Sequence, residues 1–199
     1  MEGSGPVEPI TDLPGGGWRV RMRHPDGLLI DGVRGQEPVE LISHWPLNAF
    51  NWGDRKERLN RSLRPKREPG LGLKLGHFVL KVRDHDQTFA WMQERFDMLA
   101  SDSMVLPENN KVVGTFIRFN MGETPVDHHA ILINEASEVG CHHCAFEMQD
   151  FDAVMGAHDY LVSKAHLDIG VGRHLPAARS SITGAIPSAI GSSTTLTAT

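Results

Sequence analysis

Apolar and polar positions alternate most clearly from Leu75 to Val82. His77, Val79 and Lys81 fall on one face of a strand there, and Gly76, Phe78, Leu80 and Val82 fall on the other. Asp84 and Asp86 follow, and a carboxylate at either place can accept the free N–H groups that open a helix. Phe89, Met92, Phe96 and Leu99 then recur at helical spacing. Lys111–Phe119 and Asp127–Asn134 predict two more strands, so the pattern gives strand, helix, strand, strand. A second run opens with a strand over His142–Met148 and a cap at Asp150. A helix carrying Phe151, Val154, Met155, His158, Leu161 and Val162 follows, and Gly170–His174 predicts a loop leading to a further strand. Nearer the start, Trp18–Met22 alternates like a strand, His24-Pro25-Asp26-Gly27 predicts a turn, and Leu28–Ile30 and Val39–Ile42 predict two further strands.

These patterns divide the chain into three. Residues 1–70 are rich in Gly, Pro and Arg and end in a basic, proline-bearing stretch from Pro46 to Gly70, which reads as a solvated linker. Residues 71–175 hold the regular patterns. Residues 176–199 contain no acidic or aromatic side chain and consist mostly of Ala, Ser, Thr, Gly, Ile and Pro, a composition that predicts a disordered, low-complexity tail.

Two segments of the middle region resemble each other. His77 and His143 each begin a short apolar strand, each is followed seven residues on by an aspartate, Asp84 or Asp150, and each aspartate has another two places later, Asp86 or Asp152. Repetition at this scale points to a duplicated supersecondary unit with an imidazole at the same strand position in each copy. Neutral imidazole is a ligand for zinc, iron, nickel and copper.

Composition narrows the function classes. A 199-residue chain that is 40% apolar can bury one sizeable core or two small ones. A formal charge of −5 and a pI near 6.1 give no electrostatic reason for nucleic acid or an anionic membrane as a partner. There is no apolar run near bilayer length, and the acidic, polar start is unlike a secretory signal, so a cytoplasmic protein is expected. The two cysteines, Cys141 and Cys144, sit three apart on a predicted strand. Alternation would send them to opposite faces, which argues for two buried thiols over a redox or zinc pair.

Four segments in this order and spacing resemble the vicinal oxygen chelate superfamily, and within it the type I extradiol ring-cleavage dioxygenases that act on catechol or 2,3-dihydroxybiphenyl. They are Leu75–Leu80, Asp127–Leu132, Gly140–Glu147 and Gly172-Arg173-His174, and Trp18–Gly32 is similar to the closing hairpin of the family's N-terminal module. The resemblance implies an α+β fold of paired βαβββ modules, the second incomplete, with residues 1–70 holding the remnant of an N-terminal module. It implies Fe(II), with Mn(II) as the alternative, held by His77 and His143. His128, or its neighbour His129, would assist proton transfer and oxygen activation, and His174 would hydrogen-bond the substrate region. The partners implied are a catechol-type aromatic and dioxygen, with room for a homo-oligomer because modules of this family can pair between chains.

The sequence departs from the family at its end. The family's third ligand is a glutamate on the last strand, and a tyrosine in the same region donates to the substrate. Here no carboxylate follows Asp168, and the sole tyrosine is Tyr160. The expectation is therefore a chain truncated at both ends, whose ring-cleavage activity is lost or impaired. The alternatives are a non-catalytic binding protein on the same fold and a glyoxalase-like metalloenzyme.

Overall fold

The computed structural model describes residues 3–43, 49–62, 67–174, 179–186 and 194–198, with side chains described as far as Gly172. Its elements are β1 (Ser4–Pro9), β2 (Trp18–Arg23), β3 (Leu29–Arg34), β4 (Lys74–Val82), α1 (His85–Phe96), β5 (Met98–Val105), β6 (Val112–Phe119), β7 (Ile131–Glu135), β8 (Gly140–Glu147), α2 (Phe151–Ser163), β9 (Leu167–His174), β10 (Arg179–Ile186) and β11 (Thr194–Ala198). Two βαβββ runs follow each other, β4-α1-β5-β6-β7 and β8-α2-β9-β10-β11, preceded by a three-strand meander. This is the paired-module α+β architecture implied by the motifs. Residues 1–40 with 77–142, and 41–76 with 143–199, form two compact units.

In the first unit, β1-β2-β3 is an antiparallel meander, and β5-β6-β7-β4 is a sheet in which β4 runs parallel to β7. The turn between β2 and β3 falls on the expected residues. His24 N–H donates to the Leu28 carbonyl at 2.9 Å, and Gly27, at φ +85°, supplies the left-handed step. Helix α1 starts where Asp84 accepts the Gln87 N–H at 2.9 Å. It stops at Asp97, which adopts φ 52° and receives the Asn120 amide on its carboxylate at 3.0 Å. That stop places Leu99 on strand β5, although its spacing had suited the helix. The core of the unit joins Leu80 and Val82 of β4, Trp91 and Met92 of α1, Met98, Ile117, Ile131 and Ile133, and Met22 from the meander. The inner face of the meander therefore packs into the same core as the βαβββ run.

Beneath α1 a polar chain crosses this apolar layer. His85 is buried, with Nδ1 2.8 Å from the Asp86 carboxylate and Nε2 2.7 Å from the Thr115 hydroxyl, which lies 3.3 Å from that of Ser103. The chain ties the first turn of the helix to β6 and β5 and satisfies both nitrogens of a buried imidazole. Thr115→Val keeps the shape but leaves the His85 nitrogen unpaired. It is expected to cost about 1–2 kcal/mol in urea denaturation, and much less in a chain already carrying His85→Leu.

In the second unit the strand order is β8-β11-β10-β9, with β11 parallel to β8 and the other pairs antiparallel. Asp150 caps α2 by accepting the Ala153 N–H at 2.8 Å, as the sequence predicts. A small core of Met148, Val154 and Ala157 lies between α2 and the chain around Gly70, where an added Cβ would meet the Met148 methyl at 2.4 Å and the Ala157 Cβ at 2.9 Å.

Three expectations are corrected. Gly170–His174 is strand rather than loop, because Gly172, Arg173 and His174 pair with Ser181, Ser180 and Arg179 of β10. Val39–Ile42 forms no strand. Among the described residues no partner strand runs beside it, and Leu41 is 94% exposed. The tail expected to be disordered lies partly outside the described residues, but its described stretches are β10 and β11, where Ile182, Thr183, Thr194, Thr195 and Thr197 supply β-branched residues. No helix among the described residues is long and apolar enough to cross a membrane.

Candidate functional site

The first unit brings three of the histidines singled out by sequence into one cluster. His77 lies on β4, directly before Phe78, whose N–H donates to the Ala130 carbonyl at 3.1 Å. Ala130 in turn donates its own N–H to the Ile117 carbonyl on β6 at 2.8 Å. The backbone just after His129 is thus held from both sides, between β4 and β6, although residues 120–130 form no regular element. His129 is 2% exposed and His77 9%, and their rings meet at 4.4 Å between centroids with a 48° tilt.

Phe116, on β6, stands edge-on to the His129 ring at 4.8 Å and restricts its rotation. His128 is exposed. Its ring is perpendicular to that of His129, with the two Nδ1 atoms 3.1 Å apart. Between two imidazole nitrogens at this distance there is one proton, so one ring donates and the other accepts. Register alone did not separate His128 from His129. In the structure it is the second that packs against His77. Phe116 was not among the residues picked out by sequence; it lies on a predicted strand, but that it meets His129 becomes visible only once Phe116 is known to pair with Leu132 of β7.

The remaining predicted residues belong to the second unit. His143 is half-buried on β8, opposite Thr195 of β11, while its neighbour His142 is exposed. His174 is the last residue of β9 and pairs with Arg179. Cys141 is exposed and Cys144 half-buried, so the reading of two buried thiols is not met at Cys141.

The donor set falls short of a metal centre. Among the described residues no group of three or more His, Cys, Asp or Glu side chains is placed to hold a metal ion. The close pair in the first unit, His77 and His129, consists of imidazoles in ring contact at a 48° tilt. Among the described residues the donors for a two-histidine, one-carboxylate site are thus incomplete, and the chemistry derived below uses only this chain's own groups.

No protein-family model matches the chain, and no curated protein sequence matches it. Solved structures do. The chain is similar to the 2,3-dioxygenase LapB from Pseudomonas sp. KL28, at 19% identity and a TM-score of 0.69 over 97% of this chain and 63% of that one. It is similar to the Mn(II)-bound glyoxalase from Novosphingobium aromaticivorans, at 22% identity and a TM-score of 0.61 over 96% of this chain and 53% of that one. It is also similar to homoprotocatechuate 2,3-dioxygenase from Arthrobacter globiformis, at 16% identity and a TM-score of 0.64 over 98% of this chain and 53% of that one. The chain thus spans less than two thirds of the length of these proteins, and what it shares with them is the fold.

Proposed function

We propose that this chain carries part of an extradiol ring-cleavage site for a catechol-type aromatic and dioxygen, with Fe(II), or alternatively Mn(II), as the metal and His77 and His143 as its histidine ligands. The observation that supports the reading best is the buried His77–His129 contact at 4.4 Å, on a fold shared with two 2,3-dioxygenases. His129 is the group suited to move a proton. An imidazole titrates near neutrality, so it can accept a phenolic proton and return it. Its burial beside His77 and under Phe116 keeps bulk water from competing for that proton. His128 connects the same ring to the surface, and His174 is proposed to hydrogen-bond the substrate region.

No carboxylate follows Asp168 in the 199 residues given, and ring cleavage by these residues alone is proposed to be impaired. The test is anaerobic loading with Fe(II), followed by oxygen uptake with catechol. Iron retention that falls at least tenfold in His77→Ala and in His143→Ala, together with weak oxygen uptake abolished by His129→Ala, is the expected result. A purified chain that retains no iron and consumes no oxygen overturns the reading and leaves a binding protein on the same fold.

A further inference from the structure

We infer that Ser103 is an activated surface hydroxyl, an acyl-acceptor site at which Thr115 and His85 draw off the serine proton and Asp86 holds the imidazole. This inference stands apart from the ring-cleavage reading, because none of the four residues belongs to the His77–His129 cluster. Thr115 and Phe116 are neighbours on β6 and face opposite sides of it.

The direction of every proton in this chain is fixed from one end. The Asp86 carboxylate only accepts, so at 2.8 Å it takes the Nδ1–H of the neutral His85 ring. Nε2 then carries the lone pair and accepts the Thr115 hydroxyl at 2.7 Å. With its proton so placed, Thr115 Oγ1 is left as the acceptor for the Ser103 hydroxyl, 3.3 Å away. His85 and Thr115 are 3% and 2% exposed, whereas Ser103 and Asp86 reach solvent, so a buried base serves a hydroxyl at the surface. Strand β5 is shaped to present that hydroxyl. Its register against β6 shifts between Ala100 and Asp102, and the shift brings Ser103 opposite Thr115, where unbroken pairing from Ala100 and Ile117 would have put Asp102. The Asp102 carboxylate turns instead to the Ser103 backbone N–H at 2.8 Å. Because Ser103 is approached from solvent, its acyl donor is one that brings its own good leaving group, an aryl ester or a thioester. In the transfer the Ser103 O–H bond breaks and a bond from Oγ to the acyl carbon forms. The serine proton passes to Thr115 as the Thr115 proton passes to His85. The imidazole then returns a proton through Thr115 to the departing aryl oxide or thiolate.

The experiment treats the full chain with p-nitrophenyl acetate and locates the acetyl groups by peptide mass spectrometry. Hydroxylamine cleaves an ester on serine and leaves an amide on lysine, which separates the two products. Ser103 is expected to acquire acetyl about tenfold faster than any other serine. Thr115→Val breaks the relay and should lower the rate at Ser103 about tenfold, and Thr115→Ser, which keeps the hydroxyl, should restore it. Asp86→Ala, at an exposed position, should lower the rate about threefold, because the imidazole loses the group that orients it. Thermal melts establish that each variant is folded; should Thr115→Val melt too low to assay, Asp86→Ala decides. Acetyl on lysines alone overturns the inference, as does a Ser103 rate that Thr115→Val or Asp86→Ala leaves unmoved. Neither metal nor dioxygen enters this assay, so failure of the oxygen-uptake test leaves its result standing, and the reverse also holds.

Discussion

Met92→Ala is expected to remove a large share of the stability of the first unit. Met92 is 1% exposed on α1 and packs in the cluster formed by Leu80, Val82, Met98, Ile117 and Ile133, with Met22 reaching in from the meander. Truncating a buried methionine loses the transfer free energy of its removed atoms and leaves a cavity that rigid neighbours fill only in part. Together these cost about 2–5 kcal/mol. The surroundings here can collapse little, because the cavity would be walled by β4, β6 and β7, whose strands are hydrogen-bonded in register. Small domains have only about 5–15 kcal/mol in total. Urea midpoints should therefore shift sharply, whereas Val162→Ala, at an exposed position on α2, should leave them within about 0.5 kcal/mol. A Met92→Ala midpoint close to that of the unsubstituted protein would show that α1 is not seated on the sheet in this way.

Met92 was legible before the structure, and the reason is instructive. It belongs to a helix with a carboxylate cap before it and apolar residues at turn spacing within it, so local and tertiary preferences coincide. The same agreement made β4, β6, β7, β8 and α2 readable. Strand β1 was not, since Ser4–Pro9 contains two prolines and a glycine. It exists because β2 offers a partner, with Val7 opposite Val20 and Pro9 opposite Trp18, and a proline is tolerated on an edge strand. Val39–Ile42 shows the converse, good strand composition with no neighbour to pair with among the described residues. Strand β5 was hidden because Leu99 continues the helical spacing; only the left-handed turn at Asp97 interrupts it.

The candidate site divides along the same line. His77 and His143 stand out through a repeated pattern, which survives in sequence. The distinction between His128 and His129 does not survive there, because residues 120–130 follow no period from which a facing direction could be read. It is set by the hydrogen bonds of Ala130 to both flanking strands, which turn His129 inward and leave His128 at the surface. Phe116 lacked any signal of its own, being one aromatic in a strand of apolar residues. Its role depends on which residue it faces.

Acidification should loosen the first unit through His24, outside the histidine cluster. His24 is 1% exposed, and its ring stands edge-on to Trp91 at 5.3 Å. Its Nδ1 accepts the Asp26 N–H at 3.1 Å, so the proton of the neutral ring is on Nε2, which has no hydrogen-bond partner among the described residues. A second proton must go to Nδ1, where it would face the Asp26 N–H donor to donor. Burial pushes the His24 pKa down; the Asp26 carboxylate opposes this but does not prevail. That carboxylate accepts the Arg83 backbone N–H at 2.9 Å, the Arg83 guanidinium lies 4.0 Å from it and the Arg95 guanidinium lies over Trp91, so positive charge already flanks the site. With the folded pKa below the unfolded value of 6.5, the unfolded chain binds a proton that the folded chain refuses. The stabilisation is complete above about pH 6.5. It declines as pH falls below that, by at most about 1.4 kcal/mol per pH unit, until the folded pKa is passed. His24→Phe keeps a ring against Trp91 and removes the titration. Melts of the two proteins between about pH 7.5 and 5 should diverge, the unsubstituted protein losing stability faster, while the carboxylates common to both cancel in the difference. Parallel curves across that window would mean that the turn at residues 24–27 opens readily enough to let water reach the ring.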